Sequence, residues 1–282
     1  MCISIPESNQ VQELAFKVVA GNPLYMTFLP PTKRVQEKAP VLAVISGGGW
    51  QVQSREAILS MYAFSVEQLR EAGVCVVSFD YRVTSLFPET TVAEEVGDTL
   101  DAISYLHKNA QVLGIDPDQI ILTGHSAGGH IALLMAYAPR SLFVTEYADP
   151  GISYVGCIPF SAPCFLYPSG PCPETLMMNY NYIFPDDVYD DKLAHLWSPN
   201  AYITADCPPT LYIHGSSDGL VPHNNSVLTY EKGLAQGADV MFIHVANGGH
   251  SLEPIETGVA VSPSYEEVQN EIVAWVLKQF EL

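Results

Sequence analysis

Residues 122–137 read LTGHSAGGHIALLMAY, with Ser126 between Gly124 and Gly128. An apolar β-branched run precedes the serine and a helix-like apolar run follows it. Gly-x-Ser-x-Gly at a strand-to-helix corner is the nucleophile-elbow pattern. The turn strains the serine backbone, and the glycines remove side chains that would collide across it. Oγ is then presented above a helix N-terminus, whose N–H groups can hold a developing anion. A serine hydroxyl is a weak nucleophile at neutral pH, so it needs a base, and the base needs an orienting group.

Further along, LYIHGSSDGLVP sets Asp218 just past an apolar run, and VMFIHVANGGHSL sets His250 in a glycine-flanked loop past another. Serine, acid, histidine is the chain order expected of such a corner. Among the rivals, His214 and His244 fall within strand runs and read as packed structural residues. His125 reads as packing under the turn, His130 lies on the following helix, and His223 is a loop residue able to line a site. Asp206 and Asp239 precede strands, at the wrong end of a sheet. In VISGGGW, Gly47, Gly48 and Gly49 follow a strand run, where backbone N–H groups can approach a substrate carbonyl. The Ala127 N–H is expected to add another donor.

These residues need a scaffold that brings strand ends together. PLYMTFLPP, APVLAVISGGGW, GVCVVSFDYR, DQIILTGHS, YVGCIPFSA, PTLYIHG and VMFIHVA are short apolar runs ending in turn residues. Helix-period segments run over 57–72, 92–114, 228–235 and 264–280. Alternation of this kind predicts an α/β fold with a mostly parallel sheet, helices on both faces, and the site beyond the carboxyl ends of the strands. The chain is expected to be one domain over 1–282. A small cap insertion over 139–200, rich in proline and aromatics, carries Tyr167, Tyr180, Tyr182, Phe184 and Trp197.

Twelve Lys and Arg stand against 31 Asp and Glu, a formal charge of −19 in 282 residues. That field repels phosphate backbones, which argues against nucleic acid as a partner. No apolar run is long enough for a membrane span, and the first residues lack the basic and apolar regions of a signal peptide, so a cytoplasmic protein is expected. The six cysteines read as free thiols, with a Cys164–Cys172 loop disulfide open. Without CxxC or HExxH spacing, no metal or other cofactor is expected.

Taken together, SGGGW, DYR, GHSAGG, HGSSDGLVP and GGH resemble the α/β-hydrolase family. The likeness is to its esterase/lipase branch with a His-Gly-Gly-Gly-Trp oxyanion motif, including acetyl esterases and acetylxylan esterases, and runs from about residue 24 to the C-terminus. It implies Ser126 as nucleophile, Asp218 as acid, His250 as base, and Gly48, Gly49 and Ala127 as oxyanion donors. LGIDPDQI and WSPN match further landmarks. Ser46 stands where the family has histidine, and Trp50 is expected to hold the loop from its other side. Trp50, Tyr180, Trp197 and His223 are the expected substrate contacts. Arg55 and Arg82 are the candidate cations near the site, with Arg82 read as an ion-pair partner. The expected partner is a small-molecule or oligosaccharide ester, such as an acetylated sugar. An arylformamidase or other amidase, and a non-catalytic ligand-binding protein of the same fold, are the alternatives. Whether the chain forms a homo-oligomer is left open by the sequence.

Overall fold

The structure, a computed structural model, describes residues 10–147, 151–166 and 190–282. Eight strands form one sheet: β1 (Gln12–Val19), β2 (Asn22–Leu29), β3 (Ala39–Ile45), β4 (Cys75–Phe79), β5 (Ile115–His125), β6 (Gly156–Phe160), β7 (Thr210–Gly215) and β8 (Val240–Val245). Their spatial order is β1-β2-β4-β3-β5-β6-β7-β8. Pairing is antiparallel from β1 to β2 and from β2 to β4, and parallel from β4 through β8. Central strands β3, β4 and β6 are buried along their whole length, as continuous apolar runs covered on both faces require.

Helices α1 (Arg55–Met61), α2 (Ala63–Glu71) and α8 (Tyr265–Gln279) pack on one face through Ile58, Val66, Leu69, Ile272 and Val276. The other face carries α3 (Val92–Lys108), α5 (Ala127–Tyr137) and α7 (Asn224–Gln236), through Val96, Ile103, Ile131, Leu134 and Tyr230. Two shorter helices, α4 (Ala110–Leu113) and α6 (Asp191–Leu196), complete the set used below. Thr91 and Glu94 form a capping box at the start of α3, and Gly114, at φ 68°, closes α4, a left-handed position that suits glycine. No helix among the described residues is long and apolar enough to cross a membrane.

Two features depart from the sequence expectation. The helix read over 57–72 is two helices meeting at Tyr62, whose ring is buried against the sheet. Strand β1 was not anticipated, because its apolar residues are interrupted by Glu13 and Lys17; Lys17 is nevertheless buried, bonded to Asp98 and Asp101 of α3. Within 139–200, β6 is a central strand of the sheet and α6 leads towards β7, while 167–189 lie outside the described residues. Cys75, Cys157 and Cys164 are buried free thiols and Cys207 a half-buried one. Cys2 and Cys172 lie outside the described residues.

The first turn of α5 lies on the end of β3 with no room for a side chain. A Cβ on Gly128 would sit 2.2 Å from the Ile45 carbonyl oxygen, whereas one on Gly219 would meet nothing within 4 Å. Gly128→Ala is therefore expected to destabilise the protein by about 2 kcal/mol or more, and Gly219→Ala to change it by less than about 0.5 kcal/mol. Chemical denaturation of the two variants checks the contrast, and equal stability would show that α5 can lift off β3.

Candidate active site

Ser126 sits between β5 and α5 with φ 55° and ψ −123°, a backbone region that costs a non-glycine residue about 1–3 kcal/mol unless its surroundings hold it. The surroundings do so. Its N–H donates to the Phe160 carbonyl of β6 at 2.8 Å. Added Cβ atoms on Gly124 and Gly47 would meet the Gly128 carbonyl at 2.4 Å and the His125 carbonyl oxygen at 2.6 Å. The Gly47 position is also 3.0 Å from Ser126 Cβ, so the glycine loop and the serine are neighbours. Helix α5 starts at Ala127, and the first N–H groups of a helix have no partner within it.

The loops after β7 and β8 are joined to each other. Ser217 N–H donates to the Gly248 carbonyl at 2.9 Å and Asn247 N–H to Ser216 Oγ at 3.0 Å. Gly215 lies so close to this second loop that a Cβ would be 2.3 Å from the Gly248 oxygen. The Asp218 side chain is wholly buried there. Its Oδ1 accepts from the Leu220 and Val221 N–H groups at 2.8 and 2.9 Å. Its Oδ2 accepts from His250 Nδ1 at 2.7 Å and from His214 Nε2 at 3.1 Å. Burial alone would raise the carboxyl's pKa, but the bonds and nearby charge of His214 and His250 outweigh it and hold the group well below the usual range. The carboxylate is ionised, and His250 carries its proton on Nδ1, which leaves Nε2 as the free base.

His125 packs beside this base, ring centroids 4.6 Å apart, and its Nε2 donates to the His250 carbonyl at 2.9 Å. Burial first, then the charge of His250, pushes His125 down to about 4. His130, wholly buried, is also lowered to about 4 by burial. The glycine loop turns through Gly48 at φ 134°, Gly49 at φ 61° and Trp50 at φ 62°. Tyr81 Oη donates to the Ser46 carbonyl at 2.9 Å, and Trp50 Nε1 donates to His130 Nδ1 at 3.3 Å.

One cavity of about 420 Å³ brings these parts together, lined by Gly48, Gly49, Trp50, His125, Ser126 and His250; Gln51, Val52, Pro163, Leu220 and Val221 complete it. No hydrogen bond joins Ser126 Oγ to His250 among the described residues; such bonds are often long before substrate arrives. Two expected substrate contacts point elsewhere. Trp197 is buried with its ring stacked on Phe143, centroids 6.4 Å apart. His223 Nε2 meets His244 Nδ1 at 2.9 Å, and its ring packs near His214 and Phe242. Tyr180 lies outside the described residues. Arg55 is bonded to Asp80 and Glu13, and Arg82 to Asp98 and Glu94. His214 is packed in β7 as expected, but it also reaches Asp218, a role its position in an apolar run concealed. Its spacing was the available signal: the fourth residue before a carboxylate at a strand end.

Two predictions follow from these protonation states. His125 and His130 bind protons less tightly in the folded protein than in the unfolded chain, where the value is near 6.5. Their contribution to stability is complete above about pH 6.5 and is lost as pH falls towards about 4, roughly 3 kcal/mol for His130 alone. Asp218, whose folded pKa is depressed, adds a further loss only below its unfolded value of about 3.9. Buried Glu95, whose carboxyl is pushed up by burial, acts in the opposite sense over this range, so the check is a comparison: melting temperature should fall less between pH 6.5 and 4 in His130→Gln than in the wild type, and equal profiles would contradict a neutral buried His130. His214→Leu should lower kcat/KM of a folded variant by roughly 10-fold or more, since Asp218 loses a donor; unchanged kinetics would make His214 a packing residue only.

Comparison with known proteins gives a consistent picture. The family model described as BD-FAE matches residues 27–232, well over half of the chain. Esterase LipQ of Mycobacterium tuberculosis is 27% identical over 223 residues, covering 77% of this chain and 51% of LipQ. A probable isoprenylcysteine alpha-carbonyl methylesterase of Oryza sativa is 36% identical over 97 residues, covering 34% of this chain and 22% of that protein. The chain thus spans about half the length, or less, of the curated relatives it matches. Among solved structures, esterase 2 of Thermogutta terrifontis with bound propionate superposes with a TM-score of 0.77 at 22% identity, covering 97% of this chain and 96% of that one; the same esterase has been solved with butyrate. The fold is therefore that of the α/β-hydrolases, and the chain belongs to the BD-FAE family.

Proposed function

We propose that this protein is a serine ester hydrolase acting through an acyl-enzyme on short, uncharged acyl esters, with O-acetyl groups on xylo-oligosaccharides and similar carbohydrates as the substrate class. The observation that carries the reading is the meeting at one cavity of a serine on a strained corner, a histidine tethered to a buried carboxylate, and a glycine loop. His250 Nε2 takes the proton as Ser126 Oγ attacks the carbonyl carbon. The N–H groups of Gly48, Gly49 and Ala127 receive the oxyanion, helped by the positive end of α5; loss of one such donor typically costs about 3 kcal/mol in the transition state. The alcohol departs with the proton from His250. Water, deprotonated by the same ring, then attacks the acyl-enzyme; the acid is released as the ring returns that proton to Ser126 Oγ.

The substrate class rests on the lining. Among the described residues it contains no Asp, Glu, Lys or Arg, so no ion pair awaits a charged substrate. Val52 and Leu220, more than half exposed, offer apolar edges. Short acyl chains agree with the propionate and butyrate held by the Thermogutta esterase.

The test is the initial rate on p-nitrophenyl acetate, butyrate and octanoate, acetylated xylo-oligosaccharides and N-formylkynurenine. Acetyl release that exceeds octanoyl release, and falls by roughly 10⁴–10⁶ in kcat in Ser126→Ala, is the expected result. Near-normal turnover in Ser126→Ala would refute the nucleophile. Faster turnover of N-formylkynurenine than of any ester would make the protein an amidase.

A further inference from the structure

His130 lies one turn into α5, its N–H bonded to the Ser126 carbonyl at 3.0 Å, and its ring is fully buried. An indole N–H can only donate, so the contact from Trp50 Nε1 makes His130 Nδ1 an acceptor. A carbonyl can only accept, so Nε2, 2.7 Å from the Trp197 oxygen, carries the proton. Both ends thus select the same neutral tautomer, and burial, which lowers the pKa to about 4, favours it too. The imidazole stands edge-on to the Trp50 ring, centroids 5.3 Å apart at 88°.

Those two partners belong to different parts of the site. Trp50 ends the glycine loop in a left-handed conformation that a tryptophan keeps only where its surroundings hold it. Ser46, at the position where the family resemblance sets a histidine, has its Oγ buried without a hydrogen-bond partner among the described residues. That side chain therefore does not stand in for the family's imidazole. Trp197 caps α6, in the segment that leads into β7, and is itself buried.

We propose that His130 is a positioning residue: a neutral imidazole that joins the oxyanion loop to the nucleophile helix and to the segment carrying α6, and so sets the aim of the Gly48 and Gly49 N–H groups at the carbonyl above Ser126. The inference rests on the esterase reading for its effect on catalysis, but the link from Trp50 to His130 can be observed without turnover.

The test compares His130→Leu, His130→Gln and Trp50→Phe with the wild type. The readouts are kcat and KM on p-nitrophenyl acetate, the affinity of an aliphatic trifluoromethyl ketone, and the indole N–H spectrum of the ¹⁵N-tryptophan-labelled protein. With only three tryptophans in the chain, Trp50→Phe assigns the Trp50 signal by its disappearance. In His130→Leu the expectation is a loss of roughly 10- to 100-fold in kcat, a KM within about threefold, a parallel fall in ketone affinity, and a moved or broadened Trp50 indole signal. His130→Gln keeps one acceptor and one donor and should recover much of the loss. A folded His130→Leu with kcat within about threefold of wild type, or with a lower kcat but unchanged ketone affinity, overturns the proposal. If His130→Leu does not fold, Trp50→Phe and His130→Gln decide: undiminished kcat and ketone affinity in Trp50→Phe sink the idea. If the wild type hydrolyses no ester, the esterase reading fails by itself. The indole spectrum then judges the link alone, an unmoved Trp50 signal in His130→Leu refuting it.

Discussion

The site depends on one steric constraint, the contact between the first turn of α5 and the ends of β3 and β5. Backbone packs on backbone there: side-chain atoms on Gly124 and Gly128 would overlap the Gly128 carbonyl and the Ile45 oxygen. The contact leaves the chain no relaxed route from strand to helix, so Ser126 takes a positive φ. The Phe160 carbonyl, from the next strand, holds it there. The same closeness brings the glycine loop after β3 within touching distance of the serine. Ser126 and the glycine loop thus both follow directly from two neighbouring strands in parallel register.

Across the cavity the organising object is a buried anion. Asp218 accepts four N–H bonds, two from its own loop and two from imidazoles. A carboxylate so furnished remains charged where burial would otherwise neutralise it. Its charge dictates which nitrogen of His250 is protonated, and the carbonyl of His250 in turn orients His125. Along this edge each ring's proton position follows from its neighbour's. The same logic governs His130 on the other side, where an obligate donor and an obligate acceptor leave one tautomer.

Much of this was legible in the sequence, for physical reasons. Central parallel strands must be apolar on both faces, so β3, β4, β5, β6 and β7 stood out as continuous runs, and the residues after them marked the end of the sheet that holds the cavity. Strand β1 was hidden because Lys17 breaks its pattern, and only the fold reveals the aspartates of α3 that make burying it tolerable. The break at Tyr62 carried no glycine or proline to announce it. His214 was seen as a packed residue and not as a partner of Asp218, since a histidine in an apolar run shows its burial but not its bonds. Trp197 and His223 were read as substrate contacts, the one from an aromatic-rich segment and the other from a loop. Their rings are instead engaged with Phe143 and with His244, contacts between residues far apart in sequence.

The charge of the molecule and the neutrality of its cavity act at different stages of the proposed reaction. A neutral ester meets no charged lining side chain among the described residues, so its entry is governed by shape and apolar contact. Hydrolysis converts it to a carboxylate, and that product finds Asp218 behind His250 and a formal charge of −19 on the whole chain. The overall field disfavours an anion in a cleft that no lysine or arginine lines. Arg55 and Arg82, the cations that the sequence suggested for the site, are held in ion pairs with Asp80, Glu13, Asp98 and Glu94. The arrangement therefore sets no charged side chain against a neutral ester, and a carboxylate product finds no cationic side chain to pair with among the described lining residues.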